Sequence, residues 1–160
     1  MHDTGSYAAD AHAGQVMAEV VKFKKEHLKN LDEHVFGISV KENMSEAMLK
    51  ILEKREHCYS ILKGETVLGC VGVTEFWQDR AEVWAILKKD MGMDFIEVNS
   101  ACKKLVAGLP MKRLEAVVNA DFEAGIRWMR ALGFRLESAR MKNYGRDGKD
   151  CMLFAKVKDA

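Results

Sequence analysis

The stretch RLEAVVNADFEAGIRWMRALGF, residues 113–134, decides how the rest of the chain is read. Leu114, Ala116 and Val118 alternate with Arg113, Glu115 and Val117, the two-residue period of a strand buried chiefly on one face. The run stops at Asn119-Ala120-Asp121, where a helix is predicted to begin. Asp121 and Glu123 put negative charge in its first turn, Phe122, Ile126 and Met129 fall on one stripe, and Arg127 and Arg130 sit near its carboxyl end. Gly133 suits a left-handed stop, and Phe134 re-enters the core as the next strand opens.

Downstream, FRLESARM and CMLFAKV read as two closing strands joined by KNYGRDGKD, with Asp147-Gly148 as the turn signal. Upstream, AEVWAI reads as a strand ending at Lys88-Lys89-Asp90. A helix follows with Phe95, Val98, Cys102 and Leu105 on its buried stripe, Gly108 as its stop and Pro110 barring continuation. CYSIL and TVLGCVGVTEF flank Lys63-Gly64-Glu65 as a hairpin, and Gly69 and Gly72 mark a bulge or close packing. Before it, Asn43 and Glu46 form a capping pair for a helix with Met44, Ala47, Met48, Ile51 and Leu52 on one stripe. MAEVVKF is a first strand, and KKEHLKNLDEH a short helix with Leu28, Leu31 and Val35 in register until Gly37 interrupts it. Residues 1–16 are small, polar and unpatterned and read as a tail, with Met17 a candidate start; residues 17–160 make one domain.

Composition narrows the function classes. Lys plus Arg at 25 against Asp plus Glu at 24 leaves a formal charge of +1, so no global field favours nucleic acid or an anionic membrane. No apolar run approaches the ~20 residues of a membrane span, and the expected location is the cytoplasm. Cys58, Cys70, Cys102 and Cys151 lack metal-type spacing and read as reduced residues in or near the core. His27 and His34 are too far apart along a helix to share an ion, so the histidines read as solvated and no metal is expected.

The strand, helix and Gly-Phe arrangement resembles the closing motif of the GNAT superfamily of N-acetyltransferases, whose fourth helix ends in a Tyr-containing run before Leu-Gly-Phe. Ile126-Arg127 and Leu132-Gly133-Phe134 carry that match. RAEVWAIL, the 113–134 stretch and YGRDGKD look like a phage-encoded branch related to the internal virion proteins of short-tailed phages. This narrower match covers nearly the whole chain after the first sixteen residues. The element order, strand, two helices, three strands, helix, strand, helix, two strands, is that of the superfamily. The resemblance implies an α/β (α+β) fold, a mixed, mostly antiparallel sheet of about seven strands with helices on both faces. It also implies transfer of an acyl group from acetyl-CoA, the co-substrate, to an amine on a small molecule or protein.

In the resembled superfamily the fourth and fifth strands part to admit the pantetheine arm, and the pyrophosphate lies over the amino end of the next helix. Carried onto this sequence, that assigns cofactor contacts to Ala85, Ile86, Leu87, Lys88, Lys89, Gly92 and Met93, with Asn119 and Arg127 from the later elements. Lys89 and Gly92 fit the superfamily's phosphate pattern, while Asp94 takes its final small position. Asp90 and Asp94 either oppose a pyrophosphate or cap the helix. Glu82 is the base by resemblance, or else an edge-strand carboxylate paired with Arg80 or Arg113. Met129 stands where the superfamily has its tyrosine acid; Tyr144 is the substitute, or a surface turn residue. Asn119 either contacts the cofactor or caps the fourth helix, Trp84 is core, and Trp77 edges a groove or a partner surface. The opposing function class is a non-catalytic phage protein, in the virion or bound to a phage or host protein. A homodimer stays open.

Overall fold

The computed structural model describes residues 16–31 and 44–159. The alternation in the deciding stretch builds β5 (Arg113–Asn119), and the charged and apolar residues after it build α4 (Glu123–Ala131). In chain order the remaining elements are β1 (Ala18–Lys22), α1 (Lys25–Lys29), α2 (Glu46–Lys54), β2 (Cys58–Lys63), β3 (Thr66–Trp77), β4 (Arg80–Leu87), α3 (Asp94–Gly108), β6 (Arg135–Met141) and β7 (Cys151–Val157). The seven strands form one sheet in the order β1-β2-β3-β4-β5-β7-β6. Every pairing is antiparallel except β4 with β5, which α3 connects as a crossover. The mixed, mostly antiparallel α/β architecture expected from the sequence is the one observed.

Each face of the sheet has its own core. Val98, Cys102 and Val106 of α3 and Trp128 and Met129 of α4 cover Leu114, Ala116 and Val118 of β5. Leu28 of α1 and Leu49 and Leu52 of α2 cover Cys58, Cys70 and Ile86 on the other side, together with Phe23. All four cysteines are free and buried, serving as small apolar residues. No helix among the described residues is long and apolar enough to cross a membrane.

Gly72 pairs with Trp84 across β3 and β4. A Cβ at Gly72 would lie 2.7 Å from the Trp84 ring and 3.0 Å from the His57 carbonyl, so only glycine lets that ring lie flat against the strand. The irregularity foreseen near Gly69 is present as well: the β2–β3 register shifts between Ile61 and Leu62, with Leu68 the extra residue on β3.

Several local expectations shift. Ser45, not Asn43, caps α2, its side chain accepting from the Met48 N–H at 3.3 Å. The buried stripe is therefore Leu49 and Leu52, while Met48 and Ile51 face outward. Helix α3 ends because Leu109 is extended ahead of Pro110, and Gly108 is only its last residue. His27 is not a solvated surface residue: Nδ1 accepts from the Lys24 N–H and lies 2.8 Å from Ser60 Oγ, and burial lowers its pKa. Asn43, His34, Val35 and Gly37, and residues 1–15 of the tail, lie outside the described residues.

Helix α4 begins two residues later than its acidic signal, at Glu123, and its end follows the sequence closely. The Phe134 N–H donates to the Met129 carbonyl and the Gly133 N–H to the Arg130 carbonyl, the paired bonds of a Schellman stop. This geometry needs Gly133 at φ +89°. An added Cβ would also approach Lys156 Nζ at 3.3 Å. Gly133→Ala is expected to lower stability by about 1 kcal/mol or more, measured by denaturant unfolding.

Candidate functional site

β4 and β5 hold together for only three rungs, Arg80 with Arg113, Ala81 with Leu114 and Glu82 with Glu115. Beyond them β4 stays paired with β3 out to Leu87, and β5 stays paired with β7 out to Asn119. Each strand follows its own neighbour, and the sheet opens into a fork with unpaired backbone on its inner edges. Charge closes the apex. Glu115, only 5% exposed, accepts from Arg80 Nε at 2.9 Å and Nη2 at 3.2 Å and from Arg113 Nε at 3.0 Å. Arg113 also binds Glu137, and Arg80 lies over the rings of Phe76 and Trp77 at 4.7 and 4.6 Å.

A cavity of about 190 Å³ runs through the fork. Glu82, Ala85, Ala116, Val118, Trp128 and Met129 are among its walls. Both arginines are committed to Glu115, so the Glu82 pairing with Arg80 or Arg113 considered from sequence does not form: among the described residues no hydrogen bond or ion pair reaches its carboxylate. Burial, and secondarily the Glu115 charge beside it, raises its pKa, with Arg80 opposing. A carboxyl held this way takes a proton more readily than an exposed one. Met129 is on the cavity wall where the resembled superfamily has its acid, and brings no proton to donate.

A second cavity, about 440 Å³, lies past the end of β4 and is lined by Leu87, Lys88, Asp90, Gly92 and Arg127. The β4–α3 turn that forms one wall has Asp90 at φ +55° and Gly92 at φ +57°. The first N–H groups of α3, on Asp94, Phe95 and Ile96, bond back to the carbonyls of Met91, Gly92 and Met93. Anion contacts are therefore left to the turn itself, where the N–H groups of residues 90–93 have no acceptor among the described residues. Asp94 does not stand against an anion alone, because Lys63 binds it at 2.9 Å and Glu97 at 3.2 Å.

The other sequence candidates are scattered. Ile86 is buried in the core on the opposite face, and Lys89 and Met93 are exposed and line neither cavity. The Asn119 side chain accepts from Cys151 Sγ at 3.5 Å, and α4 starts without a side-chain cap, its N-cap being Phe122. Tyr144 is 57% exposed on the β6–β7 connection and lies outside both linings. Trp128 was missed from the sequence and is central: it lines both cavities, donates from Nε1 to Asn99 Oδ1 at 3.0 Å and packs edge-on against Phe95. Its signal was a rival stripe of Gly125, Trp128, Met129 and Leu132, which satisfies the helical period as well as Phe122, Ile126 and Met129 do. His57 and Tyr59, also unmarked in the sequence reading, are among the walls of the first cavity.

No family model and no curated protein matches this sequence. Solved structures do. The chain superposes on Ard1 from Thermoplasma volcanium with a TM-score of 0.68 at 14% identity, covering 91% of this chain and 100% of that one. A GNAT-family acetyltransferase from Bacillus cereus gives 0.63 at 13% identity, covering 90% and 99%. RimL, a ribosomal L7/L12 alpha-N-protein acetyltransferase in complex with coenzyme A, gives 0.65 at 15% identity, covering 91% and 97%. These similarities lend no support to the narrower phage resemblance. What they share with this chain is the architecture, and the fold of this protein is that of the GNAT acetyltransferases.

Proposed function

We propose that the protein is a coenzyme A-dependent N-acyltransferase, with the β4–β5 fork as its thioester slot and Glu82 as its base. The observation that carries this reading is the fork, with the pKa-raised Glu82 carboxylate on the wall of the cavity inside it. Unpaired backbone along residues 83–87 and 116–119 suits the amide groups of a pantetheine arm, which would pair there as a strand does. The residues of the second cavity fit the diphosphate end. Lys88 and Arg127 supply positive charge, the turn supplies N–H groups, and nothing lies within 4 Å of a Cβ built on Gly92, so the backbone is open to close approach.

The chemistry then needs little else from the protein. An acceptor ammonium loses a proton to Glu82, directly or through a water, and its nitrogen attacks the thioester carbonyl carbon. The C–N bond forms, the C–S bond breaks, the sulfur departs as thiolate, and the proton that the new amide nitrogen sheds goes to that thiolate. A thiol pKa near ~8.5 makes that departure feasible without an acid, which accommodates Met129. Met129 equally favours a second reading, a protein that keeps the cofactor site without turnover. In line with the phage resemblance, such a protein would serve in a virion or against a phage or host partner.

Calorimetric titration with acetyl-CoA tests the cofactor assignment. Saturable heat is expected, and none at millimolar ligand would overturn the enzyme reading. Glu82→Gln should keep acetyl-CoA affinity and lower turnover roughly 10²-fold. Equal acyl-CoA turnover in both proteins removes Glu82 from the mechanism, and binding with no turnover in either selects the second reading. Stability gives an independent check. Glu82 keeps its proton to higher pH in the folded chain than in the unfolded one, so ionising it costs stability as pH rises above the ordinary carboxylate value. Glu82→Gln lacks that cost. It should be the more stable protein at neutral pH, with the difference closing as pH falls through the carboxylate range.

A further inference from the structure

The cavity in the fork has two unlike halves. Glu82 and Trp84 alternate with Ile86 and so lie on the α1–α2 face of the sheet. On the α3–α4 face the walls include Cys102, Leu105, Val106, Leu109, Met129 and Leu132, each apolar and all but Leu105 less than a tenth exposed. Burial pushes the Cys102 thiol up to about 12, so it stays neutral and adds no charge to that wall. An apolar void inside a protein forfeits the packing contacts its walls would otherwise make, and interiors are normally filled. A cavity of roughly 150 Å³ lined by such residues is large enough to hold a benzene ring. The cavity here is about 190 Å³ over both halves, and most of its lining residues belong to the α3–α4 side.

We infer that the α3–α4 half is an acyl-chain pocket, and that the thioester this protein prefers carries a linear chain of butyryl to hexanoyl length in place of acetyl. The inference rests on the thioester-slot reading and adds to it the identity of the acyl group. With the carbonyl at the fork, the chain runs down between α3, α4 and the sheet, away from Glu82. The acceptor amine then approaches from the Glu82 side. Met129 suits the role: an unbranched, flexible thioether can shape itself to a chain, and a tyrosine there would put a hydroxyl into the apolar wall.

The experiment is binding of acetyl-, butyryl-, hexanoyl- and decanoyl-CoA to the full chain by calorimetry, with thermal shift in parallel. Affinity should rise from acetyl to hexanoyl by roughly tenfold or more, because each further methylene leaves water for the apolar wall, and should fall again at decanoyl when the pocket is full. Leu105→Phe, at the half-buried position on that wall, should bring the hexanoyl-to-acetyl ratio towards one. Equal affinity for all four thioesters in the wild-type protein overturns the acyl pocket and leaves the slot reading standing. Binding of none of them overturns both. Should Leu105→Phe fail to fold, the wild-type series alone decides.

Discussion

Everything in this structure depends on how two strands are allowed to part. A parallel pair that separates after three rungs exposes backbone that water or a partner must satisfy, and it stays a defined fork only if its apex is fixed. Glu115 fixes it. A nearly buried carboxylate would be costly alone, but the bidentate bond from Arg80 and the bond from Arg113 offset its desolvation, and each arginine is itself held by a further contact. Removing either strand's share of this cluster would leave charge unpaired in the sheet. The cluster therefore sets where pairing ends, and so where the cavity begins.

The same cluster bears on the Glu82 carboxyl. It is the next carboxylate on the same face, in direct register with Glu115, with the nearby guanidiniums already engaged. Burial first, and the Glu115 charge second, raise its pKa. Around it the packing is economical: Gly72 gives way to Trp84, Trp128 is oriented by Asn99 and Phe95, and α4 is stopped at Gly133 so that Met129 and Leu132 meet the cavity wall. Local backbone rules thus place the side chains that shape the site.

Much of this was legible beforehand. The alternation in residues 113–119, the Gly-Phe stop and the turn signals at Gly64 and Asp147-Gly148 are local in origin, and they fall where the sequence puts them. The α4 stripe was misjudged because two helical faces satisfy one period, and only the packing of α3 against Trp128 chooses between them. Glu115 was invisible as an apex residue because Arg80, which bonds it bidentately, reaches it only through the β4–β5 pairing. Lys63 neutralising Asp94 is likewise a tertiary fact, joining β2 to α3 across 31 residues of chain. Short-range chemistry can be read along the sequence; pairings across the sheet depend on registry that no single segment encodes.

Amide hydrogen exchange with and without a saturating acyl-CoA probes the fork most directly. A thioester arm pairing with the splayed strands should slow exchange at residues 83–87 and 116–119, together with the 88–93 turn, and leave β1, β2 and β6 unchanged. Bound ligand with no slowing at either inner edge, or with protection confined to another face of the sheet, would contradict the assignment of the fork as the cofactor slot.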